Sequence, residues 1–248
     1  MSQFDLTLAI TAHAETLEAG PAMRSAELAI AAVEEAGFAV QRLLGFDTPT
    51  PQTTRYFGQP RFDAWERHSF AFADQGETRS ALADIASGRY LAFLDADDLL
   101  SSNWLLAAMT LLEAQSNDRM IAHPELIWQF DGSNTVYTQP SQSSPLFTPH
   151  HFAMQNYYDA LCLAPRQAWQ EVRYAPRDVQ AGYAYEDWQW ALETIEAGWE
   201  HVSVPDTLIF KRRRDVSQSQ AARARRVSIR SVAPLAIDTI AGFGRQER

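Results

Sequence analysis

Ala86-Ser87-Gly88-Arg89-Tyr90-Leu91-Ala92-Phe93-Leu94-Asp95-Ala96-Asp97-Asp98 is the stretch whose reading decides the fold. Tyr90 to Leu94 is continuously apolar, the pattern of a strand buried on both faces under helices. The aspartates follow at once, which predicts them at the strand's carboxyl end, the edge where open α/β sheets bind ligands. Carboxylates this close repel one another unless something positive lies among them. Mg2+ or Mn2+ meets that need, because such ions take oxygen ligands and commonly join one or two carboxylates to substrate phosphates. The plainer alternative is an acidic turn that caps the next helix.

Short apolar runs alternate with helical stretches on the amino-terminal side, the pattern of a parallel sheet flanked by helices. Leu6 to Ile10 predicts a first strand. A helix follows, with Pro21 in its first turn, Met23, Ala26, Ile30 and Val33 on its apolar face, and Gly37 as its stop. Val40 to Phe46 predicts a second strand, and Asp47-Thr48-Pro49-Thr50-Pro51 reads as too proline-broken for regular structure. Ser69 to Ala73 predicts a strand and Glu77 to Ala86 a short helix. Beyond the aspartates, Ser101-Ser102-Asn103 opens a helix carrying Leu105, Met109 and Leu112. Asp131 to Asn134 marks a hairpin turn between Leu126–Phe130 and Thr135–Tyr137, and residues 138–150 read as loop. A helix over Asp187–Ala197 stops at Gly198, and two short strands, Val202–Val204 and Leu208–Phe210, flank Pro205.

About ninety residues after the first acidic cluster comes Gly182-Tyr183-Ala184-Tyr185-Glu186-Asp187-Trp188-Gln189-Trp190. Acidic residues at a helix start are favoured by the helix dipole, so this pair also has a plain reading. The two clusters together, with Gly76, Arg79 and the Gly88-to-Asp98 stretch, resemble the signature of glycosyltransferase family 2. The resemblance covers roughly residues 4–220 and is strongest over 76–112 and 182–214. It implies α/β architecture of the GT-A type, a Rossmann-like, mostly parallel sheet flanked by helices. One continuous domain over 1–220 is expected, with a nucleotide-sugar-binding half at 1–115 and an acceptor-binding half at 116–220. Residues 221–248 are expected to form a basic, helical extension.

The same resemblance implies an inverting transfer of a sugar, of hexosyl type, from a nucleotide-diphospho-sugar to an acceptor hydroxyl. Synthesis of cell-surface polysaccharide or glycoconjugate is the expected setting, with a saccharide or lipid-linked acceptor. It places Asp95 near the ribose and at the metal, Asp97 on the metal, and Asp187 as catalytic base with Glu186 beside it. Thr11, His13, Asp47, Arg79 and Arg213 are expected around the donor. Trp188 and Tyr185 offer a stacking floor for a sugar, while Trp190 and Trp199 read as core. Ser217 or Ser219 is expected to follow the arginine on the donor-closing loop. The chain departs from the family pattern at Ser80, at the single acidic Asp47, and at His13.

Residues 1–210 carry 11 basic against 28 acidic residues, whereas residues 211–248 carry 10 against 3. An acidic body argues against nucleic acid as a partner. The basic run Lys211-Arg212-Arg213-Arg214, with Arg223, Arg225, Arg226 and Arg230, is read as a solvated face, as a donor-phosphate clamp, or, over 221–230, as a contact with anionic lipid headgroups. The absence of a signal-peptide pattern or an eighteen-residue apolar run points to a cytoplasmic protein, at most at the membrane's inner face. Cys162 reads as a buried structural thiol, His150-His151 as a loop pair, and His123 as structural. Two other functions fit less well. A nucleotidyltransferase calls for a glycine-rich basic loop after the first strand, where Thr11-Ala12-His13-Ala14-Glu15 stands. A degenerate sugar-binding domain has no need of all four of Asp95, Asp97, Glu186 and Asp187.

Overall fold

The computed structural model describes residues 3–213, 225 and 227–236. In chain order its elements are β1 (Phe4–Ala12), α1 (Ala19–Glu35), β2 (Val40–Asp47), α2 (Pro51–Phe57), β3 (Glu66–Phe70), α3 (Gln75–Ile85), β4 (Gly88–Asp95) and β5 (Leu99–Leu100). Then come α4 (Trp104–Ala114), β6 (Met120–Phe130), β7 (Thr135–Thr138), β8 (Leu163–Pro165), α5 (Gln167–Glu171), α6 (Glu186–Glu196) and β9 (Glu200–Arg212). The nine strands form one sheet ordered β3-β2-β1-β4-β8-β6-β9-β5, with β7 added on β6.

Side-chain alternation explains the layering. Leu6, Leu8 and Ile10 of β1, with Tyr90, Ala92 and Leu94 of β4, pack against α1 and α4 on one face. Ala9, Leu91 and Phe93 point the other way, into a second core with Leu82 of α3, Trp169 of α5 and Trp190 of α6. Both faces of β4 are covered, so its sequence has no polar alternation to show. Cys162, Trp190 and Trp199 belong to this second core, as expected of them, and burial pushes the Cys162 thiol well up.

The expectation of a mostly parallel sheet holds for β3-β2-β1-β4. Beyond β4 the sheet is mixed: β8 runs antiparallel to β4 and β6, β9 parallel to β6, and β5 antiparallel to β9. Three local expectations are corrected. The proline-broken stretch after Asp47 starts a helix, because Thr50 accepts the Thr53 N–H at 3.2 Å as its cap and Pro51 occupies the first turn, where a missing N–H costs nothing. The two strands around Pro205 are one strand, β9, in which a bulge opposite Pro124–Leu126 absorbs the proline and puts Asp206 at φ 59°. The strand placed at Ser69–Ala73 lies earlier, at Glu66–Phe70.

Residues 227–236 form no α-helix: beyond an isolated bridge at Ser228 their one regular element is a 3-10 turn at Ala233–Leu235. Ser228 bridges to Gly182 and Ala184 through backbone hydrogen bonds of 2.9 and 3.0 Å. The rest of the expected helical extension over 221–248, with Arg223 and Arg226, lies outside the described residues, as do Arg214, Ser217 and Ser219 of the expected donor-closing loop. Among the described residues no helix is long and apolar enough to cross a membrane.

Candidate active site

β4 ends in the middle of the sheet, between β1 and β8, and delivers Asp95 to that edge. Its Oδ1 accepts hydrogen bonds from Thr11 Oγ1 at 2.9 Å, Gln75 Nε2 at 2.6 Å and Arg79 at 2.7 Å. Its Oδ2 accepts from Lys211 Nζ at 3.2 Å. Burial alone would raise this carboxyl, but the Arg79 and Lys211 charges and the Arg79 and Thr11 hydrogen bonds hold it well below the usual range. Arg79, only 2% exposed, also reaches Glu186 at 3.5 Å and keeps its charge, since Asp95, Tyr174 and Glu186 outweigh the effect of burial.

The turn after β4 buries Asp98, whose Oδ1 accepts the Arg212 N–H at 2.7 Å while Oδ2 lies 3.0 Å from Lys211 Nζ. Lys211 lies 3.2 Å from Asp159 as well. The repulsion that the sequence suggested a metal would relieve is therefore met at Asp95 by Arg79 and an ammonium from β9, and only in part at Asp98, where burial and the charges of Asp95, Asp97 and Asp159 still push the carboxyl up to about 8. Asp97 is partly exposed.

The second acidic pair starts α6 from a strained residue: Tyr185 sits at φ 67°, ψ 61°, a left-handed conformation that tyrosine seldom adopts. Asp187 Oδ1 accepts the Trp188 N–H at 2.8 Å. Burial first, then the charges of Glu186 and Asp159, push the Asp187 carboxyl up to about 7.

Two cavities adjoin across these groups. One, of about 400 Å³, is lined by Thr11, His13, Asp47, Thr48, Asp97 and Asp98. The other, of about 570 Å³, is lined by Tyr137, Tyr157, Asp159, Tyr185, Glu186, Asp187 and Trp188. Gln75, Asp95, Lys211 and Arg213 line both. Each described residue expected at the donor, metal, base or acceptor thus borders one cavity or the other, and two of them also hold the loops around the smaller one. Asp47 accepts the N–H groups of Phe72, Ala73 and Asp74 at 2.8–2.9 Å, so its carboxylate shapes the loop before α3. His13 Nδ1 lies 2.7 Å from the Asp47 carbonyl. Lys211, Asp159 and Gln75 went unselected. Lys211 opens the basic run and so carried a signal, but Asp159 stands in a sequence with no motif around it.

His123 and His151 stay outside the two cavities. His123 Nε2 pairs with His201 Nδ1 at 2.8 Å beneath Tyr158, and His151 stacks on Tyr157 with centroids 4.2 Å apart. Among the described residues no three His, Cys, Asp or Glu side chains are grouped to hold a metal by themselves. Asp97 offers carboxylate oxygen on the wall of the smaller cavity, which suits Mg2+ or Mn2+ once a ligand's oxygens complete the shell.

No protein-family model matches the sequence, and no curated protein matches it. Solved structures do. S. aureus TarS 1-349 in complex with UDP-GlcNAc superposes with a TM-score of 0.62 at 12% identity, over 88% of this chain and 61% of that one. GalNAc-T7 with UDP, GalNAc and Mn2+ gives 0.58 at 14% identity, over 85% of this chain and 44% of that one. This chain therefore spans less than two thirds of either. Identities this low speak to architecture alone, and in architecture the chain has the GT-A glycosyltransferase fold.

Proposed function

We propose that this protein transfers a sugar, with inversion, from a nucleotide-diphospho-sugar to an acceptor hydroxyl. The observation that carries the reading is the pair of adjoining cavities, with Asp187 on the wall of the larger and Asp97 on the wall of the smaller. The nucleotide fits the smaller cavity, between Thr11, His13, Thr48 and Asp97, and the acceptor fits the larger, where Tyr185 and Trp188 offer aromatic faces. TarS with UDP-GlcNAc and GalNAc-T7 with UDP and Mn2+ support a nucleotide-sugar as the donor class.

In this reading Asp187 takes the proton from the acceptor hydroxyl as its oxygen attacks the anomeric carbon. The bond to the diphosphate breaks on the opposite face, and the diphosphate leaves with the electron pair. A carboxyl raised to about 7 is suited to that work, because it is substantially ionised at neutral pH yet basic enough to hold a proton. Mg2+ or Mn2+, bound with the donor, would neutralise the leaving diphosphate, and Asp97 is the residue that would hold it. Arg213, on both cavity walls, is placed to meet the same phosphates. Arg79, Gln75 and Thr11 fix Asp95 against the floor of the site. A hexose donor, a saccharide or lipid-linked acceptor, and a role in polysaccharide or glycoconjugate synthesis complete the proposal.

The test is a panel of UDP-, GDP-, CDP- and dTDP-sugars, read by thermal shift and by donor turnover with Mn2+. At least one donor should stabilise the protein and be consumed. A panel with neither stabilisation nor turnover overturns the reading.

A further inference from the structure

Lys211 holds a place different from the solvated face or donor-phosphate clamp read from sequence for its basic run. Its Nζ lies 3.0 Å from Asp98, 3.2 Å from Asp95 and 3.2 Å from Asp159, two carboxylates from the end of β4 and the turn after it and a third from a distant loop. The other oxygens of the two motif aspartates are also committed: Asp95 Oδ1 takes Thr11, Gln75 and Arg79, and Asp98 Oδ1 takes the Arg212 N–H. The Asp159 Oδ1 that meets Lys211 also takes the Leu161 N–H at 3.0 Å. The arrangement resembles a metal shell with an ammonium at its centre. A divalent ion binds oxygens at about 2.0–2.1 Å and could not share that centre with a second positive charge.

Asp97 lies outside this knot, on the wall of the smaller cavity. One carboxylate is a poor cage for Mg2+ or Mn2+, which normally draw the rest of their shell from water and substrate phosphates. We propose that Lys211 is a built-in cation that denies the aspartate motif to a divalent ion until a nucleoside diphosphate supplies the missing oxygens, so that metal and nucleotide bind only as a pair. The inference rests on the nucleotide-sugar reading above. It gives Lys211 a positioning role, in which its charge acts through the three carboxylates.

Calorimetry tests it without turnover. Mn2+ is titrated into the protein alone and into the protein saturated with each of UDP, GDP, CDP and dTDP, and each nucleotide is titrated with and without Mn2+. In the wild type, Mn2+ alone should show no saturable binding at sub-millimolar concentrations. The cognate nucleotide should raise Mn2+ affinity by roughly tenfold or more, and Mn2+ should raise nucleotide affinity by the same factor, as linkage requires. Lys211→Ala leaves three carboxylates without their ammonium, so that variant should bind Mn2+ in the absence of nucleotide and show a smaller coupling factor. Lys211→Arg should keep the wild-type pattern. Wild-type protein that binds Mn2+ equally well with and without nucleotide overturns the inference and leaves the nucleotide-sugar reading standing. So does a folded Lys211→Ala variant with unchanged coupling. If Lys211→Ala does not fold, the wild-type titrations decide alone. Failure of every nucleotide to bind under any condition overturns both.

Discussion

At Asp187, burial and the charges of Glu186 and Asp159 favour the protonated carboxyl, while the proposed chemistry requires the ionised one. A carboxyl raised in the folded state stabilises the fold below the ordinary carboxylate range near 4, and that contribution is lost as the pH climbs through about 7. Turnover has the opposite dependence and should rise with pH through about 7, which a pH-rate profile measures directly. Asp187→Asn removes the titration and keeps the shape. It should melt at a higher temperature than wild type at pH 8 and lose roughly 10²–10⁴-fold in turnover. Near-wild-type turnover would pass the base role to Glu186. Arg79→Met tests the neighbouring ion pair: leaving buried Asp95 without this partner should cost about 3–5 kcal/mol in urea unfolding. The motif aspartates, Arg79 and the Glu186–Asp187 pair were legible as cavity-lining because each closes a patterned stretch of sequence. Lys211's contacts were not, since its partners depend on where β9 sits, and Asp159 owes its place to a loop without periodicity.

Strands and helices were legible wherever period and punctuation agreed. β4 is the clearest case, and Gly88 at its start shows why a glycine stands there: an added Cβ would lie 2.5 Å from the Thr7 N and 2.6 Å from the Leu6 carbonyl carbon. Those are backbone atoms of β1, which cannot move aside without opening the strand pair. Gly88→Ala should therefore destabilise by about 1–3 kcal/mol, with a lower denaturant midpoint at an unchanged slope. α2 and β9 were misread for one reason, that proline was taken as a break. At Pro51 the residue before it supplies a cap, and at Pro205 a bulge removes the need for its N–H. Thr50→Ala should cost about 1 kcal/mol if that cap holds α2 as its geometry implies. Tyr185 is legible as an aromatic beside the acidic pair but its strained conformation is not, because a left-handed backbone leaves no trace in sequence when the residue is neither glycine nor asparagine.

For the whole molecule, alternating strands and helices announced an α/β sheet and Asp131–Asn134 announced the β6–β7 hairpin, but nothing in the sequence announced that β8 would run antiparallel between β4 and β6 or that β5 would run antiparallel to β9. Those pairings join segments distant in sequence, which hydrophobic periodicity does not encode. The site lies where the two halves meet, at β4, so ligand binding should stabilise the sheet as a unit. At a hundred times its dissociation constant, the cognate nucleotide with Mn2+ should add about 2.7 kcal/mol. For a chain of this size that is a rise of roughly 5–10 °C in melting temperature, read by calorimetric scanning. The place of β9 between β6 and β5 has one more consequence, for biosynthesis. A nascent chain leaves the ribosome with β5 and β6 already made and a gap between them that only the last long strand can fill. Until it does, Asp98 and Asp159 have no ammonium beside them and Asp95 has only Arg79, so the emerging protein carries an open sheet and a partly compensated acidic cluster together. Translation halted before Glu200 should leave a chain open to proteases and chaperones, and release of β9 should close the sheet and neutralise the cluster in one step.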